Sequence, residues 1–215
     1  MLAAFRNRHA RRFRVQVLAA TRLAQLSPAV AARGRDNVIV ALTADHGVAP
    51  FIDVSGKTKN PAATRVFIGP VIAQARQTIS AGGGDTTAIS FGSGALSRDR
   101  ARLGSVDVNA LVSAFADSAA KLPGVLRVDR ISQLALKDTV QDYVARRWLH
   151  MFAGDDEAAL VITLTPYSYW GAGTYATHGT PHDYDAHVPV IFLGAPFRAG
   201  MYPQTVRVVD MAPTL

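Results

Sequence analysis

Apolar residues fall into two patterns along the chain, and each pattern predicts a kind of element. Residues 38–42 (Val-Ile-Val-Ala-Leu) are continuously apolar and largely β-branched, the pattern of a strand buried on both faces. Residues 159–165 and 188–193 repeat it. Residues 61–81 instead carry apolar positions at helical spacing, with Pro70 predicting a kink or two shorter helices. In 106–122, Leu111, Phe115, Ala119 and Leu122 share one helical face, and Pro123-Gly124 ends the run. Asp138 can cap a further helix reaching about Phe152, with Val140, Tyr143, Val144, Trp148 and Phe152 on its inward side. Residues 86–96 and 125–128 read as strands. Residues 208–215 read as the opening of a helix that stops within its first turns.

Buried, non-alternating strands interleaved with helices predict an α/β domain, its sheet mostly parallel with helices on both faces. In such sheets binding sites gather where loops leave the carboxyl ends of strands. Gly82-Gly83-Gly84-Asp85 is a glycine run without the Lys-Ser/Thr ending of a phosphate-cradling loop, and reads as a structural turn.

With 215 residues, 49% of them hydrophobic, the chain can bury a core of one domain or two small ones. There is no cysteine, so disulfides and thiolate metal sites are excluded, and any metal must be held by His, Asp, Glu or backbone oxygen. The formal charge of +7 is unevenly placed: residues 1–35 hold eight arginines and no acid, while the remainder holds 15 basic and 16 acidic residues. A nucleic-acid surface would spread basic and aromatic residues over the fold, so no nucleic-acid partner is expected. The Arg-rich leader starts basic and turns apolar, but Arg22 interrupts it and no run approaches the ~20 residues of a membrane span. Neither a span nor a secretory signal is expected. The leader reads as an amphipathic helix or as the product of a start codon inside a longer coding region. The expected division is a leader over 1–35 and a partial α/β domain over 36–215.

The candidate chemistry lies just after the apolar runs. Asp45 and His46 follow the run at 38–42 and precede Gly47, where the chain can turn and bring two neighbouring side chains to one cation. Alone, the pair reads as a hydrogen-bonded turn rather than a metal site. The second block, Thr177-His178-Gly179-Thr180-Pro181-His182-Asp183-Tyr184-Asp185-Ala186-His187, places three of the chain's six histidines and two aspartates within eleven residues. Not all of these can be ligands.

Together, residues 41–50 (ALTADHGVAP) and 177–197 (THGTPHDYDAHVPVIFLGAPF) resemble the end of the metal-binding core of PafA-type alkaline phosphatases and the related type I phosphodiesterases and nucleotide pyrophosphatases. The resemblance implies an alkaline-phosphatase-like fold, here incomplete, and zinc-dependent hydrolysis of phosphate monoesters or diesters. By the resembled pattern, Asp45 and His46 correspond to the pair on one zinc, and His178 to a ligand of the other. His182 and His187 have no ligand role there, and His187 is expected to brace the loop entering the next strand. Two zinc ions in such a site clamp the attacking and leaving oxygens of an in-line displacement, and one activates a Thr or Ser nucleophile. Sulfatases and metal-dependent phosphomutases share the sheet and similar ligands, but the His-Gly-Thr-Pro block sides with the phosphatases.

In the resembled family the first Asp ligand, the nucleophile and an Asp-x-x-x-His pair all precede the Asp-His-Gly block, and the residues before it here contain no aspartate ahead of Asp36. The Asp183-to-His187 spacing falls where the pattern has no such pair and reads as coincidence. The chain is therefore expected to be a fragment without its nucleophile, inactive alone. A non-catalytic α/β remnant, or a metal- or partner-binding domain, is the alternative. The resemblance implies a small phosphate-ester substrate and a periplasmic or secreted location. Oligomeric state is left open.

Overall fold

The structure, a computed structural model, describes residues 28, 31–34, 37–152, 157–172 and 176–215. Most of the Arg-rich leader, and the boundary expected at 35/36, lie outside the described residues. The described residues form two compact units, one of 45–188 and one combining those up to Ala44 with Pro189–Leu215.

The larger unit is built on a four-stranded sheet of β3 (Ile89–Gly92), β4 (Ala95–Arg98), β5 (Val125–Arg130) and β6 (Ala158–Leu164), in the order β3-β4-β6-β5. All seven residues of β6 are buried. Leu160, Ile162 and Leu164 face a core shared with α1 (Gly69–Ala81) and α2 (Val108–Ala120), which contribute Val71, Ala75 and Ile79, and Leu111, Phe115 and Ala119. Those triplets recur every four residues, so each helix buries one stripe. Val161 points the other way, into a second cluster with Leu134, Val144 and Trp148, where α3 (Tyr143–Met151) packs. Helices thus cover both faces, as the pattern predicts, and burial of each large aliphatic side chain is worth about 1.5–3 kcal/mol.

The direction of the strands differs from expectation. All three pairings of this sheet are antiparallel, and parallel pairing in this unit is confined to two residues each of β2 (Arg65–Val66) and β7 (Tyr169–Trp170). Between β3 and β4 the cause is local: Ser93 (φ 50°) and Gly94 (φ 83°) make a two-residue turn between the paired Gly92 and Ala95, so 86–96 contains a hairpin turn rather than one strand, while the other two pairings follow from the partners that β6 finds.

Other boundaries also follow local chemistry. Pro70 lies in the first turn of α1, where its missing N–H costs nothing, so 61–68 stays outside the helix and no kink forms. Asp107 caps α2 by accepting from Asn109 and Ala110. Asp138 caps only a turn, and α3 starts later on Asp142, leaving Val140 exposed. The glycine run at 82–84 is a turn, with Gly83 at φ 72°.

In the smaller unit, β1 (Val40–Leu42) and β8 (Ile191–Leu193) form an antiparallel two-stranded ribbon with Ala41 opposite Phe192. The expected double burial is not met: β1 is half-buried, and Ile191 and Leu193 are exposed. A two-stranded ribbon has no second layer to cover it among the described residues.

Candidate metal centre

Asp45, His46 and His178 all belong to the larger unit, on two segments held together by main-chain bonds. Ala49 N–H donates to the Thr177 carbonyl at 2.8 Å in an isolated antiparallel bridge, and Gly47 N–H donates to the Asp185 carbonyl at 2.6 Å. The buried Tyr169 hydroxyl sits against the carbonyls of Ala49 and Pro50, and burial pushes its pKa up to about 12.

Each residue of the Asp-His pair commits one atom to local structure and presents the other. Asp45 Oδ1 accepts from the His46 N–H at 3.0 Å, and His46 Nδ1 lies 2.7 Å from the Gly47 carbonyl. A proton on Nδ1 satisfies that carbonyl and leaves the Nε2 lone pair free, as in imidazoles fixed for metal ligation. The presented atoms, Asp45 Oδ2 and His46 Nε2, stand 3.5 Å apart. Two ligands of one tetrahedral zinc, with bonds of about 2.0–2.2 Å, are separated by about 3.3–3.5 Å.

His178 stacks on His46, with ring centroids 3.6 Å apart and planes within 8° of parallel. Ring lone pairs lie in the ring plane, so a cation held in the plane of one of these imidazoles is badly placed for the other. The three residues therefore come together as a pair and a neighbour, not as a closed triad. Among the described residues no group of three or more His, Asp or Glu is arranged to hold a metal ion by itself.

The rest of the second block anchors it. His182 is buried, its Nε2 2.8 Å from the Leu164 carbonyl at the end of β6, and burial lowers its pKa. His187, expected to brace the loop entering the next strand, is exposed and contributes its main-chain N–H, to the Asp183 carbonyl. The buried imidazole of the block is His182, and it ties the block to the end of β6 instead. Arg147 of α3 donates to the Pro181 carbonyl at 2.5 Å and to Asp183 Oδ1 at 2.8 Å. Asp183 is therefore an ion-pair partner of Arg147. The Tyr184 hydroxyl accepts from Tyr167 N–H, and the two rings stack at 4.4 Å.

The solved structure of the alkaline phosphatase PafA superimposes on 84% of this chain with a TM-score of 0.71 and 22% identity. The fold is alkaline-phosphatase-like. A PafA mutant with four substitutions matches 75% of the chain with a TM-score of 0.62, also at 22% identity. The alkaline-phosphatase-like fold is present in part, since the chain spans about a third of each PafA chain, 35% and 30%. A calcium-transporting ATPase of Myroides odoratus is 27% identical over 112 residues, which are 51% of this chain and 20% of that protein. No protein-family model matches the chain. No helix among the described residues is long and apolar enough to cross a membrane.

Proposed function

We propose that the chain carries part of a two-zinc centre for hydrolysis of phosphate esters, with Asp45 and His46 on one ion and His178 on the next. The observation that carries this reading is the 3.5 Å separation of Asp45 Oδ2 and His46 Nε2, each freed by a local hydrogen bond of its partner atom. The stacked His178 fits a ligand of an adjacent ion better than a third ligand of the same one. The resemblance of the two sequence blocks and the alkaline-phosphatase-like fold both support it. The names of the relatives, an alkaline phosphatase and an ATPase, agree on cleavage at phosphorus.

When bound, the zinc ions would activate the nucleophile and neutralise charge on the transferring phosphoryl group. This chain's residues hold and orient. The His46 Nδ1 contact with Gly47 fixes the tautomer, and the main-chain bridge at Ala49 joins the segment of His178 to that of His46. Three donors fall short of two catalytic sites at about three protein ligands each. Zinc binding by the chain alone is therefore weak, and turnover needs further donors and a hydroxyl nucleophile. A small phosphate mono- or diester is the proposed substrate.

A second reading, a non-catalytic remnant in which Asp45 and His46 form only an ion pair, is favoured by the lack of a closed group of three ligands among the described residues. Zinc titration of the purified chain beside the double variant Asp45→Ala/His46→Ala separates the two. Zinc bound by the former and lost by the latter supports the centre; no difference between them supports the remnant. Zinc-dependent hydrolysis of a nitrophenyl phosphate ester by the chain alone would contradict its proposed incompleteness.

A further inference from the structure

We propose that Asp185 is a positioning residue that clasps the two ligand-bearing segments together and so sets the spacing of His46 and His178. The functional meaning of the clasp rests on the metal-centre reading above; its geometry does not. Asp185 is only 2% exposed. Its main-chain carbonyl accepts from Gly47 N–H at 2.6 Å, next to the Asp45-His46 pair. Its Oδ2 accepts from Thr180 N–H at 2.6 Å, two residues beyond His178. One residue therefore holds both segments, through its backbone on one side and its carboxylate on the other.

The clasp has a fixed base. Asp185 and Ala186 donate their N–H groups to the His182 carbonyl, and His182 in turn is tied to the end of β6 through Leu164. Gly47 lies so close that a Cβ there would stand 2.1 Å from the Tyr184 carbonyl oxygen, so the approach requires a residue without a side chain. The second carboxylate oxygen, Oδ1, is buried with no hydrogen-bond partner among the described residues. Burying a carboxylate half-satisfied is costly. Packing alone would be served equally by an apolar side chain, and the carboxylate points to the bond it makes to Thr180.

The test compares the full 215-residue chain with Asp185→Ala, Asp185→Asn and Gly47→Ala. The first readout, taken without metal, is the nuclear Overhauser contact between the His46 and His178 rings; the second is zinc affinity by chelator competition. Asp185→Ala is expected to lose the ring contact and to weaken zinc binding about ten- to a hundredfold, the usual effect of losing a group that orients a ligand. Asp185→Asn keeps an oxygen for Thr180 N–H and is expected to retain the contact and most of the affinity. If Asp185→Ala does not fold, Gly47→Ala decides, because its Cβ must push the segments apart and abolish the ring contact. Ring contact unchanged in a folded Asp185→Ala, or in Gly47→Ala where Asp185→Ala does not fold, overturns the proposal. So does an Asp185→Asn variant that folds and loses the contact as fully as Asp185→Ala. Ring contact in the unaltered chain without zinc binding sinks the metal-centre reading and leaves the clasp standing.

Discussion

His182 is buried against β6 with its neutral form favoured, because burial lowers its pKa below the ordinary 6.5. The unfolded chain takes up a proton on this imidazole at higher pH than the folded one. Stability from this group is therefore complete above about pH 6.5 and is lost as pH falls from there through the lowered folded pKa. Urea midpoints between pH 7.5 and 5 are expected to fall with pH, and His182→Gln to flatten that dependence; an equal slope in the variant would contradict the assignment. At this scale the sequence names Asp45, His46 and His178 as candidates, because they stand in short blocks after apolar runs. Asp185 is not among them. It stands in the same block, but its role comes from one main-chain and one side-chain bond across the fold, and spacing carries no trace of either.

Among the elements, β6 is the member on which the larger unit depends, since both helical layers pack against it. Trp148 of α3 donates its indole N–H to Thr163 Oγ1 of β6 at 2.8 Å, and both groups are buried. Trp148→Phe leaves a buried hydroxyl unpaired and Thr163→Val leaves a buried N–H unpaired, so each is expected to cost about 1–3 kcal/mol. In a double-mutant cycle by chemical denaturation, the combined variant should lose clearly less than the sum of the two. Additive losses would mean the bond contributes nothing. The run that became β6 was legible because its apolar positions are buried on both faces, and the stripes of α1 and α2 because each serves one core. The β3–β4 hairpin is not legible in 86–96, since Ser93-Gly94 is a weaker turn signal than Asn-Gly. Unbroken apolar runs predict a parallel sheet, yet an antiparallel strand covered by helices on both faces, as β6 is, carries the same pattern.

For the molecule as a whole, the fold was legible as to class, because two blocks about 130 positions apart in the sequence fit one known pattern. The structure brings those blocks into main-chain contact within the larger unit. Strand direction and the exposure of β1 and β8 were not legible, because both depend on which partners each strand finds. The central claim is that Asp45 and His46 serve one cation while His178 serves its neighbour. Anomalous diffraction at the zinc edge, from crystals of the chain grown with zinc, tests it most directly. The expected result is a zinc peak about 2.0–2.2 Å from both Asp45 Oδ2 and His46 Nε2, with His178 outside its ligand shell. No zinc at the pair, or a single zinc shared by His46 and His178, would contradict the account.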